Sequence, residues 1–291
     1  MAQEKGWDVM IQFGVRAHDF AEQTDLETFG DRVQQMGIRH IQLALEKSIS
    51  GYDFSVGHYS AGFAGYLGRE LAKREIHVAV LGCYINPVNP DKTQRLKEVD
   101  RFVERLRYAK HMNADMVGTE TGRYSTDMSV TPMTESKECY RLLLESFEQI
   151  VTAAEALGVV VGVEGVFDHT LSSPEKMKQF LDDLASPAVE VILDAANLMS
   201  PDTAKSKKLQ NEKINRAFDL YGSRISVLHL KDCVFDADGV QVCTRPGEGL
   251  IGYESLMRHV KEQKPQIIGL LEESSPEHFV RDREFFAGLC Q

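Results

Sequence analysis

Four residues with the chemistry of metal ligands stand at the ends of four successive apolar runs in the second half of the chain. Glu164 closes VGVE, Asp194 closes VILD, His229 lies in SVLHLKD and Glu272 closes GLLE. A charged side chain directly behind a run such as Val-Ile-Leu is costly to leave unpaired near a core, so each needs a cation, a counter-ion or a hydrogen-bond network. Taken singly, any of the four reads as a rim salt bridge. Together, three carboxylates and one imidazole favour one shared divalent metal ion, and this hard, oxygen-rich set suits Mn²⁺, Mg²⁺ or Co²⁺ better than Zn²⁺. Bound to a carbonyl and an adjacent hydroxyl, such an ion stabilises an enediolate, which makes the proton on the neighbouring carbon removable at neutral pH.

For residues so far apart to meet, their strands must end on one rim. Eight short, β-branched-rich runs recur along the chain: Val9–Val15, Ile38–Leu45, His77–Ile85, Asp115–Thr119, Val159–Glu164, Val189–Asp194, Ile225–Leu230 and Ile267–Glu272. Amphipathic stretches separate them. Leu143, Phe147, Ile150, Ala154 and Leu157 recur at three- and four-residue steps and stop at Gly158, and Leu96, Val99, Val103 and Leu106 form a second such series. Ser173-Pro174 and Ser275-Pro276 each offer a capping serine and a proline suited to the first helical position, so a helix is expected to begin at both. Strand then helix, eight times over, predicts an α/β fold in which a parallel sheet covered by helices closes at eight strands, a (β/α)₈ TIM barrel; a doubly wound open sheet is the alternative. No linker or shift in composition divides the chain, so residues 1–291 are read as a single domain.

Composition narrows the function. Hydrophobic residues at 43% and charged residues at 26% are those of a globular protein, and no apolar run approaches the ~18 residues of a membrane span. The polar start, Met1 to Asp8, has no signal-peptide pattern, which makes a cytoplasmic address the expectation. A net charge of −11 repels a phosphate backbone, and the basic run Lys205 to Lys208 has no interleaved aromatics, so nucleic acid is not expected as a partner. Cys83, Cys139, Cys233, Cys243 and Cys290 contain no CxxC and are read as reduced and structural.

The strand-end motifs resemble those of the xylose isomerase-like TIM barrels, the sugar phosphate isomerase/epimerase superfamily that includes the ketose 3-epimerases and inosose dehydratases. GVEGV at Glu164, LDAANL at Asp194, LHLKD at His229, RPGEG from Arg245 to Gly249 and LLEES at Glu272 carry the resemblance, which spans nearly the whole chain. It implies that Glu164, Asp194, His229 and Glu272 ligate the metal, that Glu164 and Glu272 double as the acid/base pair, and that the substrate is a small carbohydrate. A homodimer or tetramer is also expected. Where ketose epimerases often carry a histidine three residues beyond the ligand aspartate, this chain has Asn197, a weaker acid/base and a good hydroxyl partner.

Around this quartet, Glu120 in VGTETG, His169, Asn197, Lys231 and Arg245 are candidate substrate-binding residues. Each has an ordinary structural reading beside it: a rim ion pair for Glu120, a helix cap for His169, pairing with Asp232 or Glu248 for Lys231 and Arg245. Arg16 and His18 in GVRAHDF are expected to fix the first loop by local hydrogen bonds, or else to line the pocket. Phe13, Tyr84 and Phe167 are expected to pack between helices and sheet more than against a sugar face. His40, His77 and His111 are read as structural.

The leading reading is a metal-dependent sugar or cyclitol isomerase or epimerase. A dehydratase stands second, because the same enediolate can expel water from the next carbon. An endonuclease IV-like nuclease is opposed by the acidic charge and by the lack of further rim histidines for three metals, and a non-catalytic sugar-binding barrel predicts no stoichiometric ion.

Overall fold

Parallel pairing of eight strands from end to end leaves no free edge. The structure, a computed structural model, describes residues 11–20 and 22–289. Ten strands are assigned in them: β1 (Ile11–Arg16), β2 (His40–Leu43), β3 (His77–Gly82), β4 (Met116–Glu120), β5 (Val160–Glu164), β6 (Val189–Asp194), β7 (Ile225–Leu230), β8 (Asp232–Phe235), β9 (Gln241–Thr244) and β10 (Ile267–Leu271). Eight of these close a barrel in the order β1-β10-β7-β6-β5-β4-β3-β2, every pair parallel, and β8 and β9 form a separate antiparallel hairpin. The chain therefore folds as the expected single-domain α/β TIM barrel rather than as an open sheet.

The helices follow from local sequence. In the helix Lys137–Leu157 the residues Leu143, Phe147, Ile150 and Ala154 are buried along one stripe. Gly158 ends it in the left-handed region at φ 67°, returning its N–H to the Ala154 and Glu155 carbonyls. Ser173 caps the helix Pro174–Leu184, its side chain accepting the Lys176 N–H. Ser275-Pro276 behaves otherwise: the Ser275 carbonyl accepts the N–H groups of His278 and Phe279, making a turn, and the last helix begins only at Phe279.

The strand boundaries also shift from the expected ones. β1 runs through Arg16, while Val9 and Met10 lie outside the described residues. β2 begins at His40, and Leu45 already opens a short helix, Leu45–Ser48. β3 stops at Gly82, and β4 reaches Glu120. The hairpin β8–β9 is a feature the strand count missed. Its turn is written in the residues between: the Asp236 carboxylate accepts the N–H groups of Asp238 and Val240, and Gly239 takes φ 78°.

Two apolar clusters hold the barrel. The larger fills the space between strands and helices; the smaller, Ala79, Val80, Met116, Ile192, Val227 and Leu270, lies inside the strands. The interior is close-packed because glycines face bulky side chains. A Cβ built on Gly118 would lie 2.6 Å from Val80 Cγ1 and 2.9 Å from Ile192 Cδ1, and one on Gly162 would lie 2.5 Å from Met116 Sδ and 2.9 Å from the same Ile192 atom. Overfilling such a layer costs about 1–3 kcal/mol. Gly118→Val should therefore lower the urea unfolding midpoint by the equivalent of about 1–3 kcal/mol, and an unchanged midpoint would show that the layer has room to spare.

Candidate metal and substrate site

Side-chain alternation decides what reaches the mouth of the barrel. Successive strand residues point to opposite faces, and the interior cluster marks the inward set: Met116 on β4, Ile192 on β6, Val227 on β7 and Leu270 on β10. Stepping by two from these residues leads to Glu120, Asp194, His229 and Glu272. Glu164 is the register partner of Glu120, and Lys231 comes two residues after His229. On the far side, Gly14 pairs with Leu270 and Arg16 with Gln42, which turns Arg16 and Gln42 inward as well.

The inward ends meet. Glu164, Asp194 and His229, all buried, offer ligand atoms within 4.8 Å of one another. His229 Nδ1 lies 3.1 Å from Glu164 Oε2 and 3.3 Å from Glu272 Oε1, so the fourth expected ligand borders the same imidazole. Glu272 is also held by two cations: its Oε2 accepts from Lys231 Nζ at 2.7 Å and from the Arg16 guanidinium at 3.0 Å. Lys231 reaches across to Asp194 Oδ2 at 2.5 Å. Asn197 donates its amide to Glu164 Oε1 at 2.6 Å and its backbone N–H to Asp194 Oδ1 at 3.0 Å, fixing both carboxylates.

The charges are arranged unevenly. Burial alone would raise the Glu272 carboxyl, but Lys231, His229 and Arg16 outweigh it and hold that group well below the usual carboxylate range. Glu164 is likewise lowered, His229 and Lys231 prevailing over burial. Glu120 goes the opposite way: burial, reinforced by the charge of Glu164, pushes it up to about 8. One mouth thus carries an ionised and a protonated carboxyl at neutral pH. Glu272 and Glu164 raise His229 to about 9 against the effect of its burial, so this imidazole takes a proton unless another cation takes the proton's place.

Beside these groups lies a cavity of about 260 Å³ lined by Arg16, Gln42, Tyr84, Glu120, Glu164, Lys231 and Glu272. At ~30 Å³ per water it has room for a small polyol. His18 borders the same cavity and is pushed down to about 4 by burial and by the charges of Arg16 and Lys47. His169 is buried with Nδ1 3.7 Å from Glu120 Oε2, its pKa brought down to about 4 by burial and Arg123.

Among the sequence candidates, the structure brings Glu120, Glu164, His169, Asn197, Asp194, His229, Lys231 and Glu272 together. Arg245 stands apart: it bonds Glu248 at 2.8 Å, lies 3.9 Å from buried Asp282, and does not border the cavity. Its motif has a packing role, since a Cβ on Gly249 would lie 2.3 Å from Asp232 Oδ1. Arg16 does more than fix its own loop, for beyond Asp19 it binds Glu272 and Glu273. Gln42 was not singled out, and Tyr84 was expected to pack away from the site; both line the cavity and share a hydrogen bond of 2.9 Å. Strand parity is the signal that finds them. Phe167 meets Phe235 of the hairpin edge-on at 5.8 Å.

Solved structures of several proteins share this architecture. The IolI protein with a bound zinc atom superposes with a TM-score of 0.73 at 14% identity, covering 96% of this chain and 98% of that one. The 3-keto-D-glucoside 4-epimerase of E. coli gives a TM-score of 0.69 at 12% identity, with 96% and 99% covered. A xylose isomerase-like TIM barrel protein from Mycobacterium smegmatis in complex with magnesium gives 0.64 at 15%, with 97% and 98% covered. No curated protein matches the sequence. At these identities the structural likeness establishes the fold, whereas the sequence itself matches the family profile over residues 30–287, nearly the whole chain. The chain belongs to the xylose isomerase-like TIM barrel family.

Proposed function

We propose that this protein is a divalent-metal-dependent isomerase or epimerase of a small carbohydrate, with Glu164, Asp194, His229 and Glu272 around the cation and Glu164 and Glu272 as the proton-transfer pair. The observation that carries the reading is His229, which is fully buried with Nε2 left without a hydrogen-bond partner and Nδ1 set 3.1 Å from Glu164 Oε2 and 3.3 Å from Glu272 Oε1. Buried polar atoms are rarely left without partners, and a cation shared by imidazole and carboxylates supplies one. The charge balance fits as well. Glu120 apart, Glu164, Asp194 and Glu272 face Lys231, Arg16 and His229, so with His229 neutral as a ligand one negative charge is left for a cation to neutralise. The zinc of the IolI protein and the magnesium of the Mycobacterium smegmatis protein support a divalent ion, and the E. coli epimerase supports carbohydrate chemistry.

When bound, a divalent cation at these donors stabilises negative charge on a sugar oxygen as the neighbouring carbon loses its proton. The protein does the rest. Glu272, held ionised by Lys231 and Arg16, accepts that carbon-bound proton. Glu164, on the other side of His229 and ionised at rest, takes a hydroxyl proton from the bound sugar and delivers it to the opposite face in epimerisation or to the adjacent carbon in isomerisation, and Glu272 gives its proton back to that oxygen. Asn197 keeps Glu164 aimed by holding Oε1, and Lys231 keeps Asp194 and Glu272 at a fixed separation. Glu120 and His169 supply hydroxyl contacts on the remaining wall.

Metal analysis and turnover test this directly. Purified protein should carry about one divalent ion per chain, lose activity on chelation and regain it with Mn²⁺, Mg²⁺ or Co²⁺; full activity in metal-free protein would overturn the reading. NMR of candidate ketoses in deuterated water should show one carbon exchanging its proton with every hydroxyl retained, whereas a new carbonyl and a lost hydroxyl would identify a dehydratase. Glu164→Gln and Glu272→Gln should each lower kcat by about 10²–10⁴-fold with the fold intact by circular dichroism, and a near-normal rate in either removes it from the proton path. Lys231→Met leaves two buried carboxylates without their ammonium, so the metal-free variant should lose about 3–5 kcal/mol of stability, part of which a divalent salt should restore in thermal unfolding.

A further inference from the structure

The hairpin places two cysteines face to face beside the site. β8 and β9 pair with Cys233 directly opposite Cys243, between the pairs Asp232–Thr244 and Val234–Val242. Residues directly opposite on antiparallel strands project from the same face. At the turn the Asp236 N–H bonds the Val240 carbonyl, so ladder bonds recur at every second pair behind it, at Val234–Val242 and Asp232–Thr244. Cys233–Cys243 falls between these, and the Cys233 carbonyl, directed off the ladder, accepts the Leu250 N–H at 2.9 Å. A pair of this class brings its Cα atoms to ~4.5 Å, inside the ~4.4–6.8 Å that a disulfide spans. Both thiols are free; Cys243 is exposed and Cys233 is buried behind it.

We propose that Cys233 and Cys243 form a reversible dithiol/disulfide pair in the hairpin that follows Lys231, oxidised by a low-molecular-weight disulfide. The exposed Cys243 thiolate attacks one sulfur of the reagent, making a mixed disulfide and releasing one thiolate, which takes up the proton that Cys243 lost. Cys233 then gives up its proton and attacks the Cys243 sulfur, and the second half of the reagent leaves as a thiol. Two protein thiols are oxidised and one small disulfide is reduced to two thiols. Burial pushes the Cys233 thiol up to about 12, and partial covering of its sulfur raises Cys243 as well, so exchange is slow and the pairing is imposed by strand register rather than by thiolate reactivity.

The position ties this bond to the site. Gln241 on β9 donates to the Ala196 carbonyl at 2.9 Å, in the loop that leads from Asp194 to Asn197, and Phe235 on β8 packs on Phe167 beyond Glu164. A bond across the pair fixes the two strands whose side chains make those contacts.

The test uses folded protein carrying Cys290→Ser, treated with excess oxidised glutathione and then denatured for thiol counting and mass spectrometry. Expected is the loss of two thiols and two hydrogens per chain, no glutathione adduct, a cross-link joining the peptides of Cys233 and Cys243, and full reversal by dithiothreitol. Cys233→Ser should instead trap a stable glutathione adduct on Cys243, and Cys243→Ser, at an exposed position, should lose no thiols at all. Unchanged thiols, a stable adduct while both cysteines are present, or a disulfide between chains would each overturn the proposal.

Discussion

Negative charge gathered in a buried place is the constraint around which this molecule is organised. Glu164, Asp194 and Glu272 end in one buried mouth, where burial weakens the screening of charge, so repulsion among them is met largely by groups of the protein. Lys231 and Arg16 meet part of it, and each contacts more than one carboxylate. Glu120 adds to this, since burial, reinforced by the charge of Glu164, keeps its carboxyl protonated near neutrality. Removing any one member changes the balance for all the others, so the residues of this site act as a unit.

Strands rather than loops hold these groups, which explains how a constellation assembled from distant sequence positions keeps its spacing. Each carboxylate is an inward residue closing a strand whose preceding inward residue is locked in the barrel core or faces it as glycine. A loop residue such as Arg245 has no such anchorage toward the cavity. It turns to Glu248 and to Asp282 on the last helix, and the glycines of its motif serve close packing under the hairpin.

Much of this was legible in the chain. The eight β-branched runs, the Gly158 stop and the Ser173 cap state local preferences that the fold satisfies without conflict, and the quartet was visible because charge after an apolar run is rare and expensive. Arg16, Gln42 and Tyr84 were harder to see because their neighbours do not mark them. Arginine, glutamine and tyrosine occur on any rim, and only the inward phase of β1, β2 and β3, fixed by pairing across the barrel, aims them at the cavity. The hairpin was hidden for a related reason: its strands of four residues are short and polar enough to pass for loop, although the Asp236 to Gly239 turn between them carries ordinary hairpin chemistry. Ser275-Pro276 shows the reverse error, since a capping pair can equally open a turn that only later becomes helix.

The layer just beneath the polar rim is lopsided. Under Glu120 and Glu164 it contains glycines, whereas under Asp194, His229 and Glu272 it contains Ile192, Val227 and Leu270. Ile192 on β6 leans across into the space that two absent side chains would have taken, one on the adjacent strand β5 and one on β4 beyond it. The floor below both glutamates is therefore shared by Val80, Met116 and, common to the two, the methyl end of Ile192. Shortening Ile192 would excavate the barrel on one side only, which makes it the natural place for divergence or design to deepen the chamber toward bulkier molecules while leaving the carboxylates and the imidazole of the rim on their own strands.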